Sequence, residues 1–102
     1  MGFRLVYIRD KEENRVASIC GFRITHYLFT GKTLYIDDLC TLPFARGRGH
    51  GRALLNYTTQ LAEIENCHAV SLDSGYTRNA AHRLYLNCGF DLASHHFMKK
   101  LS

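Results

Sequence analysis

Residues 46–55 read Arg-Gly-Arg-Gly-His-Gly-Arg-Ala-Leu-Leu, directly after an apolar, strand-like run from Thr33 to Leu42. A strand, a glycine-rich turn and an abrupt switch to helical spacing constrain the fold more than any other feature of the chain. Glycines let a backbone approach an anion, and a helix N-terminus aims free N–H groups and partial positive charge at it. Arg46, Arg48 and Arg52 add full charges. The P-loop spacing, with Lys-Ser/Thr after its second glycine, is absent. The dinucleotide pattern Gly-x-Gly-x-x-Gly also fails, because its third glycine falls on Arg52 counted from Gly47 and on Leu54 counted from Gly49. The spacing that fits is Arg-x-x-Gly-x-Gly, at Arg46, Gly49 and Gly51.

Periodicity extends the pattern along the chain. The β-branched and aromatic run 3–9 predicts a strand, and Asp10 to Asn14 a polar turn. Alternate apolar positions at Val16, Cys20, Phe22, Ile24 and Leu28 predict a long half-buried strand, and Gly31-Lys32 a turn. A third strand runs from Leu34 to about Pro43. Helical spacing at Leu54, Leu55, Leu61 and Ala62 covers about Gly49 to Asn66. Residues 69–72 form a short strand. Thr77 is placed to cap a second helix whose face is Ala81, Leu84, Tyr85 and Cys88, with Gly89 as its stop. Phe90 to Ala93 and His96 to Leu101 are expected as closing strands. The order β-β-β-α-β-α-β-β predicts an α+β fold with a mixed sheet, antiparallel first and with a parallel crossover at the glycine turn.

At 102 residues, with 46% hydrophobic and 22% charged residues, the chain is expected to form a single domain over 1–102. No apolar stretch approaches a membrane span of ~20 residues, and no secretory signal or myristoylation pattern opens the sequence. The expectation is a cytoplasmic protein with no membrane contact. Cys20, Cys40, Cys67 and Cys88 lie far apart without a Cys-x-x-Cys pair or zinc spacing, so neither a metal nor a disulfide is expected. A net charge of +4 is modest and gathers at the arginine turn. A nucleic-acid surface more often shows a longer basic stripe with interleaved aromatics, so no nucleic-acid partner is expected.

The turn, standing after Asp-Leu-Cys-Thr-Leu-Pro (38–43), resembles the pyrophosphate-binding motif of the GNAT superfamily of acetyl-CoA-dependent N-acetyltransferases. Leu72-Asp73-Ser74-Gly75 and Ala81-His82-Arg83-Leu84-Tyr85-Leu86-Asn87-Cys88-Gly89-Phe90 extend that resemblance over nearly the whole chain, strongest at 38–55 and 72–90. The resemblance begins at the family's second strand. The first strand and two helices that precede it in GNAT domains have no counterpart here, and those helices help shape the acceptor pocket.

By resemblance, the N–H groups of Gly47, Arg48, Gly49, His50 and Gly51 take the pyrophosphate, and Arg46, Arg48 and Arg52 supply countercharge. Backbone groups of Leu39, Cys40 and Leu42 are implied to meet the pantetheine amides in a slot between the 34–42 and 69–73 strands. Asp37 and Asp38 are the only adjacent carboxylates near the expected centre and so the candidate general bases; strand alternation puts them on opposite faces, leaving one to serve. Tyr85 stands where many family members carry a general-acid tyrosine, although its helix position also suits plain packing. Seven residues earlier, where relatives often place a cofactor-binding asparagine, this chain has Arg78, with Asn79 next to it. His82 is a possible relay but reads as a surface residue; His95 and His96 read as structural or exposed.

The implied activity is transfer of acetyl from acetyl-CoA to an amine. The alternatives are a truncated, catalytically silent acyl-CoA-binding or oligomerisation module, and a small basic nucleic-acid-binding domain. The apolar 3–9 strand, left as an edge, implies a homodimer.

Overall fold

A computed structural model describes residues 2–28, 31–74, 78–93 and 97–101. Its elements are strands β1 (Arg4–Asp10), β2 (Arg15–Tyr27) and β3 (Gly31–Thr41), a 3-10 turn at Pro43–Ala45, helix α1 (His50–Ile64), strand β4 (Ala69–Leu72) and helix α2 (Asn79–Asn87). One sheet in the order β1-β2-β3-β4 carries them. β1, β2 and β3 are antiparallel neighbours, and β3 pairs with β4 in parallel. The α+β architecture expected from the periodicity is present.

Alternation on β2 and β3 determines which face is covered. Cys20, Phe22 and Ile24 on β2 and Leu34 and Ile36 on β3 are buried together with Leu54, Leu55 and Ala62 of α1. Leu84, Tyr85 and Cys88 of α2 lean on the same cluster, so both helices lie on one face of the sheet. A fully buried side chain the size of Phe22 or Leu55 contributes about 1.5–3 kcal/mol each, and this shared face is the core. The C-terminal end of α1 is pinned by polar contacts: Arg4 donates two hydrogen bonds to the Glu65 carboxylate (2.9 and 3.1 Å), and Lys32 Nζ donates to the Glu65 carbonyl (2.6 Å). Asn66, at φ 61°, takes the left-handed conformation that ends the helix.

Two expectations differ from the structure. No strand follows α2 among the described residues: 90–93 and 97–101 are irregular, and Leu92, Phe97, Met98 and Leu101 stand in solvent, while residues 94–96 lie outside the described residues. A strand needs a partner ladder as well as β-forming composition, and the described part of this segment finds none. The second helix begins at Asn79 with Arg78 as its N-cap; Thr77, the expected cap, lies outside the described residues.

Candidate functional site

Residue pairing between β2 and β3 slips once. Gly21 faces Asp38 and Phe22 faces Ile36, which leaves Asp37 as the extra residue of a β-bulge. A bulge bends its strand and disturbs the ladder locally. It also breaks the expected alternation: Ile36 and Leu39, three positions apart, both turn to the core, and Asp37 and Asp38 are both exposed between them. Arg23 Nε lies 3.3 Å from Asp37 Oδ1, so Asp37 is paired. Asp38 lies close enough to the Cys20 thiol to raise its pKa.

β3 and β4 part at the same place. Their parallel pairing runs from Thr33–Ala69 to Ile36–Leu72, and β3 then continues for five residues with β2 on one side and, among the described residues, no strand on the other. Which peptide groups face that open side follows from one bond. Leu42 N–H donates to the Ala17 carbonyl (2.8 Å), toward β2. Two residues back, on the same edge, the Cys40 carbonyl accepts from Ser18 Oγ (2.9 Å). Leu39 and Thr41, of the other parity, turn their N–H and C=O groups to the open edge. Of the residues expected in the slot, Leu39 presents its backbone there, and Cys40 and Leu42 face β2. Thr41 was not expected.

The turn after β3 is shaped by backbone conformation. Gly47 and Gly49 have φ of 78° and 82°, in the left-handed region that suits glycine, and a Cβ at either would meet no heavy atom within 4 Å. The hollow beside them is open. Gly49 is the N-cap of α1, with no side-chain cap and no acidic residue in the first turn, so the leading N–H groups are not screened. His50 Nε2 is buried there without a hydrogen-bond partner. Gly51 differs: a Cβ on it would come within 3.0 Å of Leu84 Cδ2, so its smallness also serves the approach of α2 to α1.

The three arginines are not equivalent. Arg48 donates to Asp10 Oδ2 (2.7 Å) and lies 6.0 Å from the Phe44 ring centroid, with Arg15 on that ring at 4.1 Å. Arg46 makes only a long contact to the Thr41 carbonyl (3.4 Å). Among the described residues neither Arg46 nor Arg52 has an acidic partner, so their charge is available at the turn.

On α2, Tyr85 packs on the core and tilts against Phe90, with ring centroids 6.2 Å apart. Burial raises its pKa above the ordinary tyrosine value, against smaller opposing effects of Arg78 and Ser74. The phenol therefore holds its proton at neutral pH. The Ser74 hydroxyl, close to this phenol but outside hydrogen-bonding geometry, is buried and unpartnered. Cys20 lies within electrostatic reach of both Asp38 and Tyr85, and burial, then Asp38, pushes its thiol up to about 11. Asp37 is held by Arg23, and among the described residues Asp38 has no ion-pair partner. Arg78 is exposed at the start of α2, next to Asn79. Arg78 was expected from its place seven residues before Tyr85; nothing in the sequence pattern singled out Ser74, Cys20 or Thr41 for the site.

A family model described as acetyltransferase (GNAT) family matches residues 2–90. The chain is 35% identical over 89 residues to YhdJ of Bacillus subtilis (strain 168), an uncharacterized N-acetyltransferase, covering 86% of this chain and 63% of that protein. It therefore spans less than two thirds of that curated relative. Among solved structures, a putative acetyltransferase from Agrobacterium tumefaciens str. C58 superposes with a TM-score of 0.83 at 24% identity, over 99% of this chain and 70% of the other. Glucosamine-6-phosphate N-acetyltransferase from Arabidopsis thaliana gives 0.82 at 19% identity, over 98% and 67%. At such identities the solved structures speak for the fold; the match to the family model over 2–90 carries the assignment, and the chain belongs to the acetyltransferase (GNAT) family.

Proposed function

We propose that the chain, working as one domain over 1–102, binds acetyl-CoA and transfers its acetyl group to a primary amine of a small molecule or protein. The observation that carries this reading is the fork between β3 and β4, with free backbone groups on one strand and an open, uncapped, basic turn at its end. The residues suit the cofactor. The hollow at Gly47 and Gly49, the unscreened N–H groups of α1 and the unpaired Arg46 and Arg52 match a pyrophosphate, and the orphaned His50 Nε2 adds a polar group beside it. Leu39 and Thr41 offer peptide groups to the amides of a pantetheine arm, as to an added strand. Arg78 and Asn79, at the start of α2, are the remaining proposed cofactor contacts.

Bound acetyl-CoA supplies an acetyl group activated as a thioester. The chain has to supply proton handling. An amine of pKa ~10.4 costs about 4–5 kcal/mol to deprotonate at pH 7. Asp38 is the carboxylate for that proton, since Asp37 is occupied by Arg23. Tyr85 keeps its proton on Oη, where burial holds it, for the departing sulfur. Release of free thiol from acetyl-CoA over a panel of primary amines tests this reading. Amine-dependent release supports it; CoA binding without release for any amine favours the silent binding module. The four free thiols accord with a reducing, cytoplasmic setting; no helix among the described residues is long and apolar enough to cross a membrane.

A homodimer belongs to the same proposal. β1 is an edge strand, and Phe3, Leu5 and Tyr7 are 57%, 56% and 57% exposed on the sheet face away from the helices. A groove of about 460 Å³ between β1 and α1, lined by Leu5, Tyr7, Ala53 and Tyr57 among others, continues that apolar surface. A second copy placed about a two-fold axis covers it. Sedimentation at micromolar concentration is expected to show a dimer, and a monomer at that concentration removes this part of the proposal.

A further inference from the structure

The fork has two clamps that the proposed chemistry does not use. Tyr35, on the sheet face away from the helices, donates from its phenol to Asp73 Oδ2 at 2.7 Å. Tyr35 pairs with Ser71 on β4, and Asp73 follows immediately after the last rung, Ile36–Leu72. This bond therefore ties the end of β4 to β3 at the point where the ladder stops. The tyrosine is itself held on other sides. The Arg23 guanidinium lies 5.4 Å from its ring centroid, and the Tyr27 ring meets it edge-on, at 6.5 Å and 72°. The same Arg23 pairs with Asp37, the bulged residue that begins the unpaired stretch of β3. One clamp holds β4 in, and the other holds the bulge toward β2.

We propose that the Tyr35–Asp73 hydrogen bond is a positioning device that fixes where β3 and β4 part, and so presets the width of the slot for a pantetheine arm. It rests on the acyl-CoA reading above. A parallel pair of four rungs is a weak ladder, and β4 has no further residues with which to extend it. Without the tie, the last rungs fray back toward Thr33 and Ala69, and the backbone groups at Leu39 and Thr41 lose a fixed opposite wall. Binding then has to order the strands as well as the ligand. Burial first, and Asp73 second, hold the phenol up at about 12, so it remains a donor throughout the pH range in which the protein would work.

Two probes separate this role from general loosening. CoA has the pyrophosphate and the pantetheine arm, and ADP has the pyrophosphate without the arm. Titration calorimetry with each, on wild type, Tyr35→Phe, Asp73→Ala and Asp73→Asn, is joined by hydrogen exchange of the β4 amides in the free protein. Tyr35→Phe and Asp73→Ala are expected to weaken CoA by roughly tenfold, the scale of one lost hydrogen bond to a charged group, with ADP affinity kept within about twofold. Exchange in β4 should quicken in both. Asp73→Asn keeps an acceptor for the phenol and is expected to stay near wild type. Asp73 is exposed, so its variants fold even where loss of the Tyr35 hydroxyl does harm. Unchanged CoA affinity in Tyr35→Phe and Asp73→Ala, or a parallel loss of CoA and ADP, overturns the inference alone. A wild-type chain that binds neither ligand overturns the acyl-CoA reading and the inference with it.

Discussion

Gly49→Val is expected to weaken CoA binding by ~100-fold or more, about 3 kcal/mol, while the fold survives. The side chain would grow into the open hollow of the turn, where no other group now stands within 4 Å. It would also sit at φ 82°, at a cost of about 1–2 kcal/mol for a non-glycine residue, which a domain with 5–15 kcal/mol of stability withstands. Gly51→Val acts differently. Its Cβ meets Leu84, and the expected effect is a lowered unfolding temperature from overpacking between α1 and α2, on the order of 1–3 kcal/mol. Calorimetry with CoA on folded protein, beside thermal unfolding, separates the two variants. Unchanged affinity in folded Gly49→Val would take the turn out of the account.

Tyr85→Phe is expected to lower kcat by roughly 10- to 1000-fold, in keeping with general-acid contributions of about 10²–10⁴. The ring stays, so its packing on Phe90 and the core stays, and CoA affinity should hardly move. The alkaline limb of the pH profile, where the wild-type phenol ionises above its ordinary pKa, should disappear. A drop in stability with normal turnover per folded molecule would instead make Tyr85 a packing residue.

The turn and the order of the first six elements were legible because their signals are local. A glycine at positive φ, a two-residue alternation on β2 and a helical spacing from Leu54 each leave a mark in the letters themselves. The bulge at Asp37 leaves none, because inserting one residue changes pairing and not composition. The slot was expected to be lined by Leu39, Cys40 and Leu42, whereas the peptide groups on the open edge of β3 belong to Leu39 and Thr41. Gly51 had a second role that only α2, folding back from 33 residues away in sequence, reveals through Leu84. The closing strands are missing among the described residues for another reason: 90–93 and 97–101 have strand-like residues, but a ladder depends on a neighbour that composition does not name.

The measurement that bears most directly on the central claim is a crystal structure of the wild-type chain grown with CoA. Pyrophosphate is expected on the N–H groups of the 47–51 turn, and pantetheine amides bonded to the peptide groups of Leu39 and Thr41 along the open edge of β3. A CoA molecule bound elsewhere, or one whose arm bonds to Cys40 and Leu42, would contradict it.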